Sequence, residues 1–227
     1  TLVTIPLFTF SGYLMAESGT PKRLVEVSRA LFGWLPGGLA MVCILASAFF
    51  TTFSGASGIT IVAVGGLLLP ALLADGYDQK FSLGLVTTCG SLGLLFPPSL
   101  AILLYGIIAG LDINQVFLAG LGPGVVSVVV LGFYGGMRGW RRPRAPFRAK
   151  AAVSALWVAK WEVILPVALI GGLYSRLLRI HEAAAFMAAY VLIVEVFIYR
   201  DVGLRKDLPR IVRDSMMLVG AILLILS

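Results

Sequence analysis

Long apolar runs alternate with short polar connections along the whole chain, and this pattern predicts membrane-spanning helices. Residues 1–16 read as the end of one span, and 17–36 as a polar, basic connection containing Lys22, Arg23 and Arg29. Residues 37–74 form a long uncharged stretch interrupted at Thr51–Thr60 (TTFSGASGIT), and 75–80 form a turn. A second uncharged stretch, 81–111, is interrupted by GSLGLLFPPS at 90–99. A span at 116–137 follows, then a basic segment at 138–150. Spans at 159–178 and 182–199, a charged loop at 200–214 and the start of another span complete the chain. The stretch 37–74 reads either as two full spans or as a re-entrant hairpin. Each of its legs has roughly 16 residues, about 24 Å of helix, which is short for a ~30 Å hydrocarbon core.

Composition sharpens this picture. The 227 residues are 59% hydrophobic and only 13% charged. That excludes a cytosolic enzyme, a disordered chain and a nucleic-acid-binding domain, and points to an all-α integral membrane protein. The net charge is +7, and six basic residues fall within 138–150 with no acid. Placing the basic connections 17–36, 138–150 and 200–214 in the cytoplasm gives one consistent path, with Asp112 in an outer loop. Cys43 and Cys89 have no metal-ligand spacing and read as small buried hydrophobes. The chain starts at Thr1 and stops at Ser227 inside apolar runs, so we expect an internal fragment of a longer protein.

The candidate chemistry lies in the two interruptions. Non-helical backbone at membrane depth is tolerated where it is buried in protein or lines a cavity. Thr51, Thr52, Ser54, Gly55, Ala56, Ser57 and Gly58 form one break. Thr88, Gly90, Ser91, Gly93, Pro97, Pro98 and Ser99 form the other, where consecutive prolines cannot continue a helix. A break exposes carbonyls at one half-helix end and N–H groups at the other. Carbonyls with hydroxyls suit Na⁺, and free N–H groups suit a carboxylate. Tight packing of small residues and an ordinary proline kink are the competing explanation. No charged side chain occurs in 30–74, 81–111 or 113–137. A proton relay through Asp, Glu or His is therefore not expected there, and Na⁺ is favoured, through oxygens of Ser54, Ser57, Gly90 and Ser91.

Other ionisable residues have simpler expectations. Glu195 is expected to snorkel near its helix end, close to Arg200. His181 and Glu182 should start a helix, and Arg176 and Arg179 should end the preceding one. An alternative contact of these arginines with an acidic partner or an anionic substrate stays open. Gly55, Ala56, Ser57 and Gly58 also fit the G-x-S-G pattern of rhomboid-like intramembrane serine proteases, with His181 as the conceivable base. A non-transporting scaffold subunit and another carrier with similar hairpins are further alternatives.

The run GGLAMVCILASAFFTTFSGASGITIVAVGGLLLPALLADGYDQKFSLGLVTTCGSLGLLFPPSLAILLYGIIAG, then FLAGLGPG, VILPVALIGGLYS and HEAAAFMAAYVLIVEVFIYRD, resembles the large membrane subunit of tripartite ATP-independent periplasmic (TRAP) transporters. The resemblance implies an elevator-type secondary transporter of the bacterial inner membrane, driven by Na⁺ and carrying an organic acid such as a dicarboxylate. It also implies a periplasmic substrate-binding protein and a small four-helix membrane subunit as partners. No cofactor is implied beyond Na⁺ as the coupling ion. On this reading 1–137 is a first-repeat portion with a re-entrant hairpin at about 37–74, and 138–158 is a basic cytoplasmic linker. Residues 159–227 then begin an inverted second repeat. A Thr-Pro-Thr-Glu-Ala-Ala type motif of many family members is replaced here by Arg179, Ile180, His181, Glu182, Ala183 and Ala184.

Overall fold

The computed structural model describes residues 3–140, 148–175 and 177–226, and contains helices but no strand among them. Helices α1 (Thr4–Glu17) and α2 (Thr20–Phe32) meet at a tight corner. The polar connection expected at 17–36 is thus mostly helical. Its period explains why: Leu24 and Val27 are buried on one face, whereas Lys22, Glu26 and Arg29 are exposed on the other.

The uncharged stretch 37–74 folds as a helical hairpin, α3 (Gly38–Ser54) and α4 (Ser57–Ala74), joined only by Gly55 and Ala56. Gly55 holds φ at 66°, a left-handed conformation that glycine takes without Cβ strain. Helix α3 lies at the centre of the packing, against α2, α4, α5 and α7. Ala40, Val42, Cys43, Ile44 and Phe50 along it are fully buried. Cys43 and Cys89 are free, buried thiols, as their apolar surroundings predict.

The stretch 81–111 is a broken helix. Helix α5 (Gln79–Leu92) starts where the Asp78 carboxylate accepts from the Lys80 and Phe81 N–H groups at 3.0 and 3.3 Å. It tightens into a 3₁₀ turn at Gly93–Leu95, breaks at 96–99, and resumes as α6 (Leu100–Ala109) bent by 48°. Asp112 caps α7 (Ile113–Gly139), whose 27 residues rise about 40 Å. Val126, Val129 and Phe133 on α7 are more than three-fifths exposed, an arrangement suited to hydrocarbon rather than water.

The basic run at 141–147 lies outside the described residues, as does Arg176. Beyond it, α8 (Ala149–Val158) turns by 71° into α9 (Lys160–Tyr174). Helix α10 (Ile180–Leu192) widens into a π turn over Ile193–Ile198. Arg179 does not end the preceding helix as expected. It sits in extended backbone just before α10, and its N–H donates to Glu182 Oε2 at 2.7 Å. The capping need at a helix start outweighs the C-terminal role there, because α9 already stops at Tyr174. The charged loop expected at 200–214 is also shorter, since α11 (Asp207–Leu226) begins at Asp207. Among the described residues, three helices are long and apolar enough to cross a membrane, or up to five if each bent pair is one span.

Candidate functional site

The hairpin tip and the broken helix meet in one polar cluster built from uncharged groups. Thr51 and Ser54 close α3, and Thr60 faces them from the first turn of α4. Thr51 Oγ1 lies 2.8 Å from Thr60 Oγ1, 2.7 Å from the Ser47 carbonyl and 3.0 Å from the Gly90 carbonyl of α5. Ser54 Oγ lies 3.2 Å from Thr60 Oγ1, which is 3.4 Å from the Ala56 carbonyl. All three hydroxyl-bearing side chains are at most 2% exposed.

Their protons are too few for the oxygens they face. Thr51 has one proton for two carbonyls, and Thr60 has one for the Ala56 carbonyl and the Thr51 hydroxyl. Gly90 lies in the last turn of α5, where carbonyls run out of intrahelical donors. The result is a buried cluster rich in oxygen lone pairs, at the negative ends of α3 and α5. Its donor set fits a hard monovalent cation, and no carboxylate is needed to hold one. Thr52 adds a second tie between the same elements, 2.8 Å from the Ala48 carbonyl and 3.3 Å from the Gly93 carbonyl.

The opposite polarity stands next to it. Helix α6 starts at Leu100, and the position of a Cβ on Gly55 would be only 2.7 Å from Leu100 Cβ. The hairpin turn therefore touches the positive end of α6. Ser99 precedes that helix, is fully buried, and its hydroxyl makes no hydrogen bond. It does not cap α6, so the first N–H groups keep no side-chain partner there.

Close backbone approach makes this meeting possible. A Cβ on Gly93 would fall 2.5 Å from Thr51 Cβ and 2.6 Å from Thr52 N. A Cβ on Gly12 of α1 would fall 2.6 Å from Ser54 Cα, so α1 backs directly onto the tip. A Cβ on Gly90 would meet the Ile61 side chain and stand 3.3 Å from the Ser57 carbonyl.

The fourteen sequence candidates are therefore not equivalent. Thr51, Thr52, Ser54, Gly55, Ala56, Gly90 and Gly93 come together, and Pro97, Pro98 and Ser99 are buried beside them. Ser57 is half-buried and brings its carbonyl, rather than its hydroxyl, near Gly90. Gly58 and Ser91 are exposed. Thr88 is exposed too, and lines a separate cavity with Lys80 and Tyr134. Thr60, which lies in the first interruption but not among the candidate site residues, joins the site, as do Ser47 and Gly12. Thr60 was legible in principle, since it falls one turn after Ala56 on the same helix face. A cavity of about 460 Å³ adjoins the break but is lined almost wholly by apolar groups such as Phe49, Phe96 and Val128. It offers an anion nothing to bind.

A charged cluster stands elsewhere. Glu195 does not snorkel beside Arg200; it is 2% exposed and faces Arg23 of α2. Arg23 Nη2 donates to Glu195 at 2.9 and 3.1 Å, Nη1 to Asp201 at 2.5 Å, and Nε to Glu162. Thr20 Oγ1 donates to Glu195 at 2.6 Å. The guanidinium also stacks 3.8 Å from the Tyr199 ring centroid. Burial works against the charge on Arg23, but Asp201, Glu195 and Glu162 outweigh it and hold the guanidinium protonated beyond its ordinary value. The π turn accounts for Glu195, because it buries Val194, Glu195 and Val196 in succession.

Comparison with known proteins agrees with this architecture. The family described as "Tripartite ATP-independent periplasmic transporter, DctM component" matches residues 1–227. The C4-dicarboxylate TRAP transporter large permease protein DctM of Rhodobacter capsulatus is 32% identical, over all of this chain and 55% of that protein. The ectoine TRAP transporter large permease protein TeaC of Halomonas elongata is 30% identical, over all of this chain and 53% of that protein. The isethionate TRAP transporter permease protein DctMQ of Oleidesulfovibrio alaskensis is 34% identical, over 89% of this chain and 32% of that protein. The chain thus spans about half the length of the large permease proteins it matches. These relatives are transporter components and not enzymes, so the serine protease alternative at Ser57 and His181 falls away.

Proposed function

Because this chain belongs to the DctM component family of TRAP transporters, we propose that it forms the site-bearing part of a Na⁺-coupled importer of an organic acid. The protein works in the bacterial inner membrane, with its basic connections in the cytoplasm. A periplasmic binding protein delivers the substrate, and a small four-helix membrane subunit supports the permease. Relatives named for C4-dicarboxylates, isethionate and ectoine support a small, polar, charged cargo.

One observation carries the reading: oxygen-rich ends of α3 and α5 stand directly beside the uncapped start of α6. Na⁺ between Thr51, Thr60, Ser54 and the Gly90 carbonyl would neutralise the first group. A substrate carboxylate would be received by the Ser99 hydroxyl and the N–H groups at the start of α6. Binding of each supports the other, because both sites share the Gly55 turn.

The test uses the complete permease with its small subunit and binding protein in proteoliposomes. Thr51→Val with Thr60→Val keeps shape and removes two hydroxyls. It should raise the Na⁺ concentration for half-maximal uptake about tenfold or more, the order expected for two lost ion ligands. Ser99→Ala should raise the substrate KM at saturating Na⁺. Uptake that is unchanged when choline replaces Na⁺ would overturn the coupling. Unchanged Na⁺ dependence in the double variant would overturn the site.

A further inference from the structure

The Arg23 cluster is buried, it lies outside the hydroxyl site, and transport as proposed above does not use it. Its partners come from chain segments 139 to 178 residues away. They are not scattered: they surround the elbow between α8 and α9. The elbow bends 71° at Ala159, which is fully buried. Tyr199 braces both of its arms, with its hydroxyl 2.5 Å from the Val158 carbonyl that ends α8 and 3.0 Å from Glu162 Oε2 in the first turn of α9. Arg23 binds the other oxygen of Glu162 and covers the face of the same Tyr199 ring. Its remaining nitrogens reach the end of the α10 π turn through Glu195 and Asp201. Asp201 in turn accepts from the Gly19 N–H at the α1–α2 corner, at 3.0 Å.

We propose that Arg23 is a positioning residue that locks the α8–α9 elbow to the α1–α2 corner, and so governs the rate of the transport movement rather than binding at the hairpin tip. Three features support a lock over a simple surface ion pair. The guanidinium side chain is only 11% exposed, with Glu162 and Glu195 each at 2%. The planar fork uses all three of its nitrogens on different carboxylates, a geometry lysine cannot reproduce. The elbow also follows the connection at 141–148, through which the two halves of the chain are joined. Helices α1 and α2 of the first half pack directly on α8, α10 and α11 of the second, so the elbow lies at the seam between them. The effect on rate rests on the transport reading, whereas the lock does not.

The experiment uses the complete permease complex with Cys43 and Cys89 replaced by alanine. Spin labels go on the exposed positions 26 of α2 and 153 of α8. In the otherwise unchanged protein the label-to-label distance distribution should be narrow. Arg23→Met should broaden it and lower maximal uptake about tenfold, with KM for substrate and for Na⁺ held within about twofold. Arg23→Lys should recover part of both, since it restores charge without the fork. A narrow, unshifted distribution in Arg23→Met overturns the lock. A broadened distribution with unchanged maximal uptake, or with the loss appearing in KM alone, overturns the role in transport. If Arg23→Met cannot be recovered from membranes, Tyr199→Phe carries the same two readouts, because it cuts the braces to Val158 and Glu162 while keeping the ring under Arg23. If the unmutated complex takes up no organic acid, the transport reading fails, and the distance measurement alone decides the lock.

Discussion

The hairpin tip and the Arg23 cluster are both buried and polar, yet they satisfy their groups by opposite means. At the tip every participant is neutral, and the oxygens outnumber the protons between Thr51, Thr60, Ser54 and the Gly90 carbonyl. At the elbow a single guanidinium supplies donors to three carboxylates, assisted by the Thr20 and Tyr199 hydroxyls. A neutral cluster short of protons can accept and release a cation at small cost. A charge cluster whose carboxylates already have donors holds its parts together and resists change. On the proposed reading one region binds reversibly and the other stays fixed.

The largest effect should come from unbalancing the charged region. Arg23→Met strands two buried carboxylates and should cost about 3–5 kcal/mol of stability. Adding Glu162→Gln and Glu195→Gln to it should recover most of that loss, because the one carboxylate then left without the guanidinium, Asp201, is 31% exposed and reaches water. Thermal unfolding of the purified complex in detergent measures both, and equal destabilisation of the single and triple variants would sink the charge argument. A middling effect belongs to the tip: Gly55→Ala must hold φ near 66° and meet Leu100, at a cost of about 1–3 kcal/mol. It should also raise the Na⁺ concentration for half-maximal uptake, which no effect confined to the elbow would do. The smallest effect sharpens the contrast between buried and exposed charge. Arg210 and Glu17 form a 2.6 Å pair between α11 and α1 with side chains 52% and 45% exposed. Glu17→Gln should therefore change stability by less than about 1 kcal/mol, and by less still in high salt.

Much of the fold was legible because its signals are local. Two uncharged stretches broken by Ser, Thr, Gly and Pro became a hairpin and a broken helix, with the breaks at Gly55–Ala56 and 96–99. Misreadings came where local composition pointed away from the tertiary role. Lys22, Arg23 and Arg29 look like one basic connection, but helical period sends Lys22 and Arg29 outward and leaves Arg23 among carboxylates. Glu195 lies near a helix end with Arg200 one turn on, a local pattern for snorkelling, and nothing nearby in sequence reveals its partner.

The sequence alone determined that the chain is a helical membrane protein, where its helices break, and that any ion bound in the first half must be held by neutral oxygens. Those are consequences of hydropathy, proline geometry and missing charge, all properties of residues and their near neighbours. Only the tertiary structure decided which oxygens gather, bringing Thr60 and the Gly90 carbonyl to Thr51 and leaving Thr88 and Ser91 exposed. It alone joined Arg23 to acids more than a hundred residues away. The reason is that a helix fixes the face on which a side chain lies, but which face meets which depends on backbones that approach closely at glycines such as Gly12 and Gly93.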